Sequence, residues 1–191
     1  MNTEILRPLT TVEVDTYHRD GVLLLKNMFD KDWIELLNKG LDVNCESPTE
    51  RSRIWDKDDA GHTMFYDTLA WRKIEEYKKF IFDSPAAQIC GQLMKATTVN
   101  YFFDAVFVRS PGTKFETPWH QDEPYWSIEG YDACTLWMPL VPVKEKNCLS
   151  FVPRSHRFKS VFNQKNFAEI TGNPKDQVDF SNVADQEFPD I

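Results

Sequence analysis

The sequence has no apolar run near the roughly eighteen residues needed to cross a bilayer, which argues against a membrane-spanning protein. It has no basic excess either. Its 22 Lys and Arg stand against 30 Asp and Glu, a formal charge of −8, so no cationic stripe offsets phosphate repulsion and nucleic acid is not the expected partner. The start, Met1-Asn2-Thr3-Glu4, has no basic segment followed by an apolar one, so no secretory leader is expected. Only seven glycines are present, and none builds a phosphate-cradling loop. Neither a Gly-x-Ser-x-Gly elbow nor a His-Glu-x-x-His zinc helix occurs. The four cysteines form no Cys-x-x-Cys pair, and Cys90, Cys134 and Cys148 lie in apolar stretches. The expectation is reduced, mostly buried thiols in a cytoplasmic protein, with no cysteine zinc site.

What the chain does have is enough apolar material for a core: 41% hydrophobic and 14% aromatic residues over 191 positions, sufficient for one substantial domain. Thr10 and Glu13 have capping-box spacing for a helix ending near Asp20-Gly21. Val22–Leu25 reads as a short buried strand. Asp30 can cap a second helix carrying Trp33, Leu36, Leu37 and Leu41 on one face. Residues 44–63 are polar and unpatterned, and predict a long surface loop. A third helix is predicted over 69–82, with Ala70, Ile74, Tyr77 and Ile81 inward. Ser84-Pro85 opens a fourth, with Ala86, Ile89, Cys90 and Leu93 as its stripe.

Beyond that helix the period changes. Val99, Tyr101, Phe103, Ala105 and Phe107 can share one face of a strand over 97–109, closed by the turn Ser110-Pro111-Gly112-Thr113. Cys134–Val143 and Cys148–Val152 are further strands, joined by the charged turn Lys144–Asn147. The pattern is helices outside an antiparallel sheet, an α+β arrangement with a mainly β core. The expected division is a mostly helical part over 1–96, strands over 97–158, and an irregular acidic segment over 159–191, all within one domain.

The chemistry concentrates in Thr117-Pro118-Trp119-His120-Gln121-Asp122-Glu123-Pro124-Tyr125-Trp126. On a strand or strand end, His120 and Asp122 project to one face because side chains alternate. An imidazole nitrogen and a carboxylate oxygen are two members of the two-His, one-carboxylate set that holds non-haem iron and leaves positions open. His-x-Asp alone equally fits a surface histidine beside an acid. Trp119, Tyr125, Trp126 and Tyr131 fit either a substrate pocket or ordinary packing, and Arg109 fits either an anion contact or a solvated strand end.

Four segments in order resemble the phytanoyl-CoA dioxygenase family of Fe(II)/2-oxoglutarate-dependent oxygenases. They are Asp20–Lys26, Arg109–Thr113 with Pro118–Asp122, Thr135–Leu140, and Asn147–His156. The resemblance implies a double-stranded β-helix (jelly-roll, cupin-like) with N-terminal helices. It implies Fe(II) on His120 and Asp122, with Thr135 and Trp137 at the 2-oxoglutarate site. Hydroxylation of a small organic molecule would consume O2 and convert 2-oxoglutarate to succinate and carbon dioxide. Trp137 also fits plain core packing.

The sequence departs from the family pattern in two places. Arg154 stands where the family's Pro-Gly-Ser-His turn has glycine, which predicts an altered turn. The family's distal metal-binding His and 2-oxoglutarate-binding Arg fall after that turn, yet no His follows His156 and no Arg follows Arg157. The expectation is a dioxygenase domain truncated at its C-terminal end. The rivals are a jelly-roll binding protein without the iron site and a zinc-dependent hydrolase. Of the other histidines, His156 is expected to bond locally in its loop, and His18 to be an exposed helix residue. His62, beside Gly61 in the predicted loop, could approach the site, but the sequence gives no reason to choose it. The oligomeric state has no sequence signature.

Overall fold

The computed structural model describes residues 1–55, 59–113, 117, 119–126, 128 and 130–157. The acidic segment 159–191 and Pro118 of the metal motif lie outside the described residues. Among those described, helices combine with one small antiparallel sheet in an α+β arrangement, and no helix is long and apolar enough to cross a membrane.

Helix α1 (Thr11–Asp20) starts at the predicted capping box. The Thr10 hydroxyl accepts from the Glu13 amide at 3.2 Å, and the Glu13 carboxylate accepts from the Thr10 amide at 2.8 Å. Gly21, at φ 75°, ends the helix in the left-handed conformation that only glycine adopts without cost. Helix α2 (Lys31–Glu46) is capped by Asp30, which accepts from the Trp33 amide at 3.3 Å. It buries Trp33 and Leu37 and runs on into the predicted loop.

The rest of that loop is also partly regular. Strand β1 (Arg53–Trp55) pairs with β2 (Met64–Thr68), and β2 pairs with β3 (Ala105–Arg109), both antiparallel. The loop expectation fails because a strand as short as β1 owes its regularity to its partner, not to local pattern. Of the strand predicted over 97–109, only the last five residues gain a partner.

The helix predicted over 69–82 is split. A 3-10 turn spans Ala70–Arg72, Ile74 is extended at φ −102° and ψ 107°, and α3 covers Glu75–Asp83. Asp104, just before β3, holds the turn in this form. Its carbonyl accepts from the Leu69 amide at 3.2 Å and its carboxylate from the Trp71 amide at 3.3 Å. The buried stripe survives the break, with Ala70, Ile74 and Tyr77 all interior. Helix α4 (Ala86–Met94) follows Ser84-Pro85, and the Ser84 hydroxyl accepts from the Ala86 amide at 3.3 Å.

Three further predicted strands form no ladder among the described residues: Val22–Leu25, Cys134–Val143 and Cys148–Val152. The first two dock by side chains instead. Leu23 and Leu25 pack on the cluster of Met28, Ile89 and Leu93, while Leu24 is 77% exposed. Met138 and Leu140 pack on a second cluster of Leu37, Ala70, Ile74 and Tyr77, and the Asn38 amide donates to the Leu140 carbonyl at 3.1 Å. Lys144–Asn147 does turn, as predicted. The cysteines are less buried than expected: Cys45 and Cys148 are exposed, Cys90 and Cys134 half-buried.

Two of the remaining histidines also differ from expectation. His18 is half-buried, with its Nε2 shielded and unbonded, because the chain near residue 156 covers the end of α1. His156 bonds across the fold: its Nε2 lies 3.3 Å from the His18 carbonyl, where Arg157 also donates at 2.7 Å. Arg154 takes the left-handed backbone that glycine favours. It takes φ 69°, and its amide donates to the Asp20 carbonyl at 2.8 Å, a tertiary bond that offsets the strain of a left-handed non-glycine residue.

Candidate metal centre

β3 delivers the chain to the site. Its last residue, Arg109, bonds through the guanidinium to the Thr117 hydroxyl, which tethers the segment leading to His120. The turn between them forms as predicted, with the Thr113 amide donating to the Ser110 carbonyl at 3.3 Å and Gly112 at φ 91°. His62 closes over this turn: a Cβ on Gly112 would stand 2.7 Å from its Nε2. Glycine is therefore needed there for both conformation and space. That places His62 against the turn.

His120 and Asp122 do converge. His120 Nε2 lies 3.1 Å from Asp122 Oδ1, with the imidazole 29% and the carboxylate 49% exposed. The route differs from the strand expected. Asp122 is in the right-handed helical region (φ −75°, ψ −36°) and opens a 3-10 turn over Glu123–Tyr125, its carbonyl accepting from the Tyr125 amide at 2.9 Å. The turn brings the Tyr125 ring edge-on to the His120 imidazole, with centroids 6.0 Å apart. Among the described residues, no group of three His, Cys, Asp or Glu side chains is gathered for a metal. The donor types fit two arms of a non-haem iron site, one nitrogen and one oxygen.

Thr135 completes this constellation. Its hydroxyl donates to Asp122 Oδ2 at 3.4 Å, leaving Oδ1 turned to His120. Trp137, two residues on in the same extended segment, is 46% exposed and so is not a core residue. Met138 and Leu140 pack on the helix cluster, whereas Thr135 and Trp137 are exposed.

The surroundings hold features that the sequence did not signal. Tyr66 pairs directly with Phe107 across β2 and β3, with ring centroids at 4.9 Å, and Trp55 stacks on Tyr66 at 4.6 Å. This aromatic row shares its sheet face with Arg109, opposite the face on which Val106 meets the helices. Trp126 lies edge-on to both Phe102 and Phe103. Alternation within β3 hinted at Phe107. The row itself depends on the register of strands that local pattern did not reveal.

Members of the phytanoyl-CoA dioxygenase family are oxygenases that use Fe(II), 2-oxoglutarate and O2. A family model for phytanoyl-CoA dioxygenase (PhyH) matches residues 17–179, and the chain belongs to that family. No curated protein and no solved structure matches it at a significant level.

Proposed function

We propose that this protein is an Fe(II)/2-oxoglutarate-dependent dioxygenase that hydroxylates a small organic molecule, with His120 and Asp122 as two of its iron ligands. The supporting observation is the 3.1 Å approach of His120 Nε2 to Asp122 Oδ1, with the other carboxylate oxygen taken by Thr135. Family membership supports 2-oxoglutarate as the co-substrate, and a jelly-roll is the setting proposed for the site. Thr135 and Trp137 are the side chains proposed for the 2-oxoglutarate side. The proposed setting is cytoplasmic.

When bound, the iron supplies oxygen activation coupled to oxidative decarboxylation of 2-oxoglutarate. The chain's own part is positional. His120 presents a ring nitrogen whose plane is set by the edge of Tyr125. Thr135 restricts the Asp122 carboxylate by holding Oδ2, the outer-sphere orientation that metal carboxylates require. The aromatic row of Trp55, Tyr66 and Phe107 offers an apolar wall on the sheet face that Arg109 shares.

Titration with Fe(II), or with Co(II) as a spectroscopic substitute, tests the reading without knowledge of the substrate. Thr135→Val should weaken metal binding about tenfold, as the loss of an outer-sphere partner does. His120→Ala and Asp122→Ala should weaken it more than that. Binding that is unchanged in both alanine variants would refute the assignment.

A further inference from the structure

The 3-10 turn that follows Asp122 spans three residues, Glu123–Tyr125. Two backbone bonds close it, from the Tyr125 amide to the Asp122 carbonyl at 2.9 Å and from the Trp126 amide to the Glu123 carbonyl at 3.0 Å. A single turn of this kind fixes several dihedrals for each bond gained, so it persists only where something else supports it. Pro124, inside the turn, presets one dihedral. Asp122, Glu123 and Tyr125 are all exposed, so the support is not burial of the turn itself.

Support arrives at the residue that ends it. Trp126 leaves the turn in an extended conformation, φ −103° and ψ 148°, with its side chain half-buried. Its ring stands edge-on to Phe102 and Phe103, with centroids at 6.3 and 6.5 Å and ring planes crossing at 76° and 72°. Those two rings are edge-on to each other at 5.2 Å. All three pairs therefore adopt the arrangement that aromatic quadrupoles favour. The phenylalanines are anchored in turn by Asp104, which accepts from the Leu69 and Trp71 amides and, at 2.8 Å, from the Tyr101 hydroxyl. A continuous path runs from the helical part through Asp104 and the two phenylalanines to Trp126. Arg109 and Thr117 tie down the entry to the His120 segment, and Trp126 ties down its exit.

We infer that Trp126 is a positioning residue of the iron site. Held by Phe102 and Phe103, it fixes the turn that sets the Asp122 carboxylate 3.1 Å from His120 Nε2 and the Tyr125 ring 6.0 Å from the imidazole, centroid to centroid. The indole is not itself a ligand and acts through Asp122 and Tyr125. The inference rests on the assignment of His120 and Asp122 as iron ligands.

The test combines Co(II) titration with a readout that needs no metal, the nuclear Overhauser contact between the Tyr125 and His120 ring protons in the metal-free full chain. Trp126→Ala should lose that contact and weaken Co(II) binding about tenfold, as removal of support around a ligand does. Trp126→Phe, which keeps a ring between the two phenylalanines, should retain the contact and bind within about threefold of wild type. Phe102→Ala combined with Phe103→Ala, at positions 50% and 37% exposed where truncation spares the core, should reproduce the loss with Trp126 intact. Wild-type Co(II) affinity in Trp126→Ala, while His120→Ala loses it, overturns the inference. So does a Trp126→Phe chain that behaves as Trp126→Ala does. If His120→Ala binds Co(II) as tightly as wild type, the iron assignment fails instead. The ring contact then decides for the clamp on its own: its loss in Trp126→Ala upholds the clamp, and its persistence overturns it.

Discussion

A carboxylate with no exposed surface stays ionised only if hydrogen bonds replace its hydration. Asp67, on the helix-facing side of β2, is such a residue at 0% exposure. It accepts from the Asn44 side chain at 2.8 Å, the Thr49 amide at 3.0 Å, the Thr49 hydroxyl at 2.5 Å and the Thr68 amide at 2.9 Å. Burial pushes its pKa up, but the Thr49 hydroxyl and amide, Asn44 and Thr68 together outweigh burial and hold it below the ordinary value. Its folded pKa is therefore below its unfolded one. The stability it contributes is present at neutral pH and is lost as pH falls through the folded value. Asp67→Ala leaves buried donors without an acceptor, and should cost about 3 kcal/mol in urea denaturation at pH 7. The gap between variant and wild type should narrow in acid. A gap independent of pH would show that the charge is not what is lost.

Between elements, the end of α1 and the Pro153–Arg157 turn explain each other. Gly21 has φ 75°, and a Cβ there would stand 2.1 Å from His156 Nδ1, so the imidazole lies directly on the glycine. Arg154 bonds to the Asp20 carbonyl from one side, while His156 and Arg157 reach the His18 carbonyl from the other. Carbonyls left over at a helix end are satisfied here by a segment more than 130 residues away. Burial lowers the His156 pKa, opposed by its bond to the His18 carbonyl, with the Arg157 charge adding to the lowering. Because the folded value is below the ordinary 6.5, this contact stabilises above that pH and weakens as pH falls through the folded pKa. Gly21→Ala, which adds backbone strain and displaces the ring, should cost about 2 kcal/mol by urea denaturation. It should also flatten the dependence of stability on pH between neutrality and mild acid. A variant that keeps the wild-type slope would contradict the contact.

At the scale of the molecule, two apolar clusters are joined through one ring. Phe80 packs on the cluster of Leu37, Ala70, Ile74 and Tyr77, and its ring also meets Phe29 of the other cluster at 5.4 Å and Trp33 at 5.6 Å. Phe80→Ala should cost about 3 kcal/mol, within the range for truncating an aromatic in a core. Phe80→Leu should recover more than half of it. Separate urea transitions for the Trp fluorescence and the helical signal in Phe80→Ala would show that the ring carries the coupling between clusters. Coincident transitions at wild-type stability would show that it does not.

Local chemistry determined those parts of the protein that need no distant partner. The capping box at Thr10, the glycine stop at Gly21, the Asp30 cap and the stripe of Ala70, Ile74 and Tyr77 were all legible, because each depends on residues within two turns. The approach of His120 to Asp122 was legible too, since the two are close enough in sequence to converge on either a strand or a turn. Tertiary structure alone decided the pairing. It made strands of Arg53–Trp55 and Met64–Thr68 and withheld ladders from Val22–Leu25 and Cys134–Val143 among the described residues. It also brought Thr135 to Asp122 and His156 onto Gly21. A strand needs a partner's amides and carbonyls, and a contact needs a second surface, so neither can be written into a short stretch of sequence.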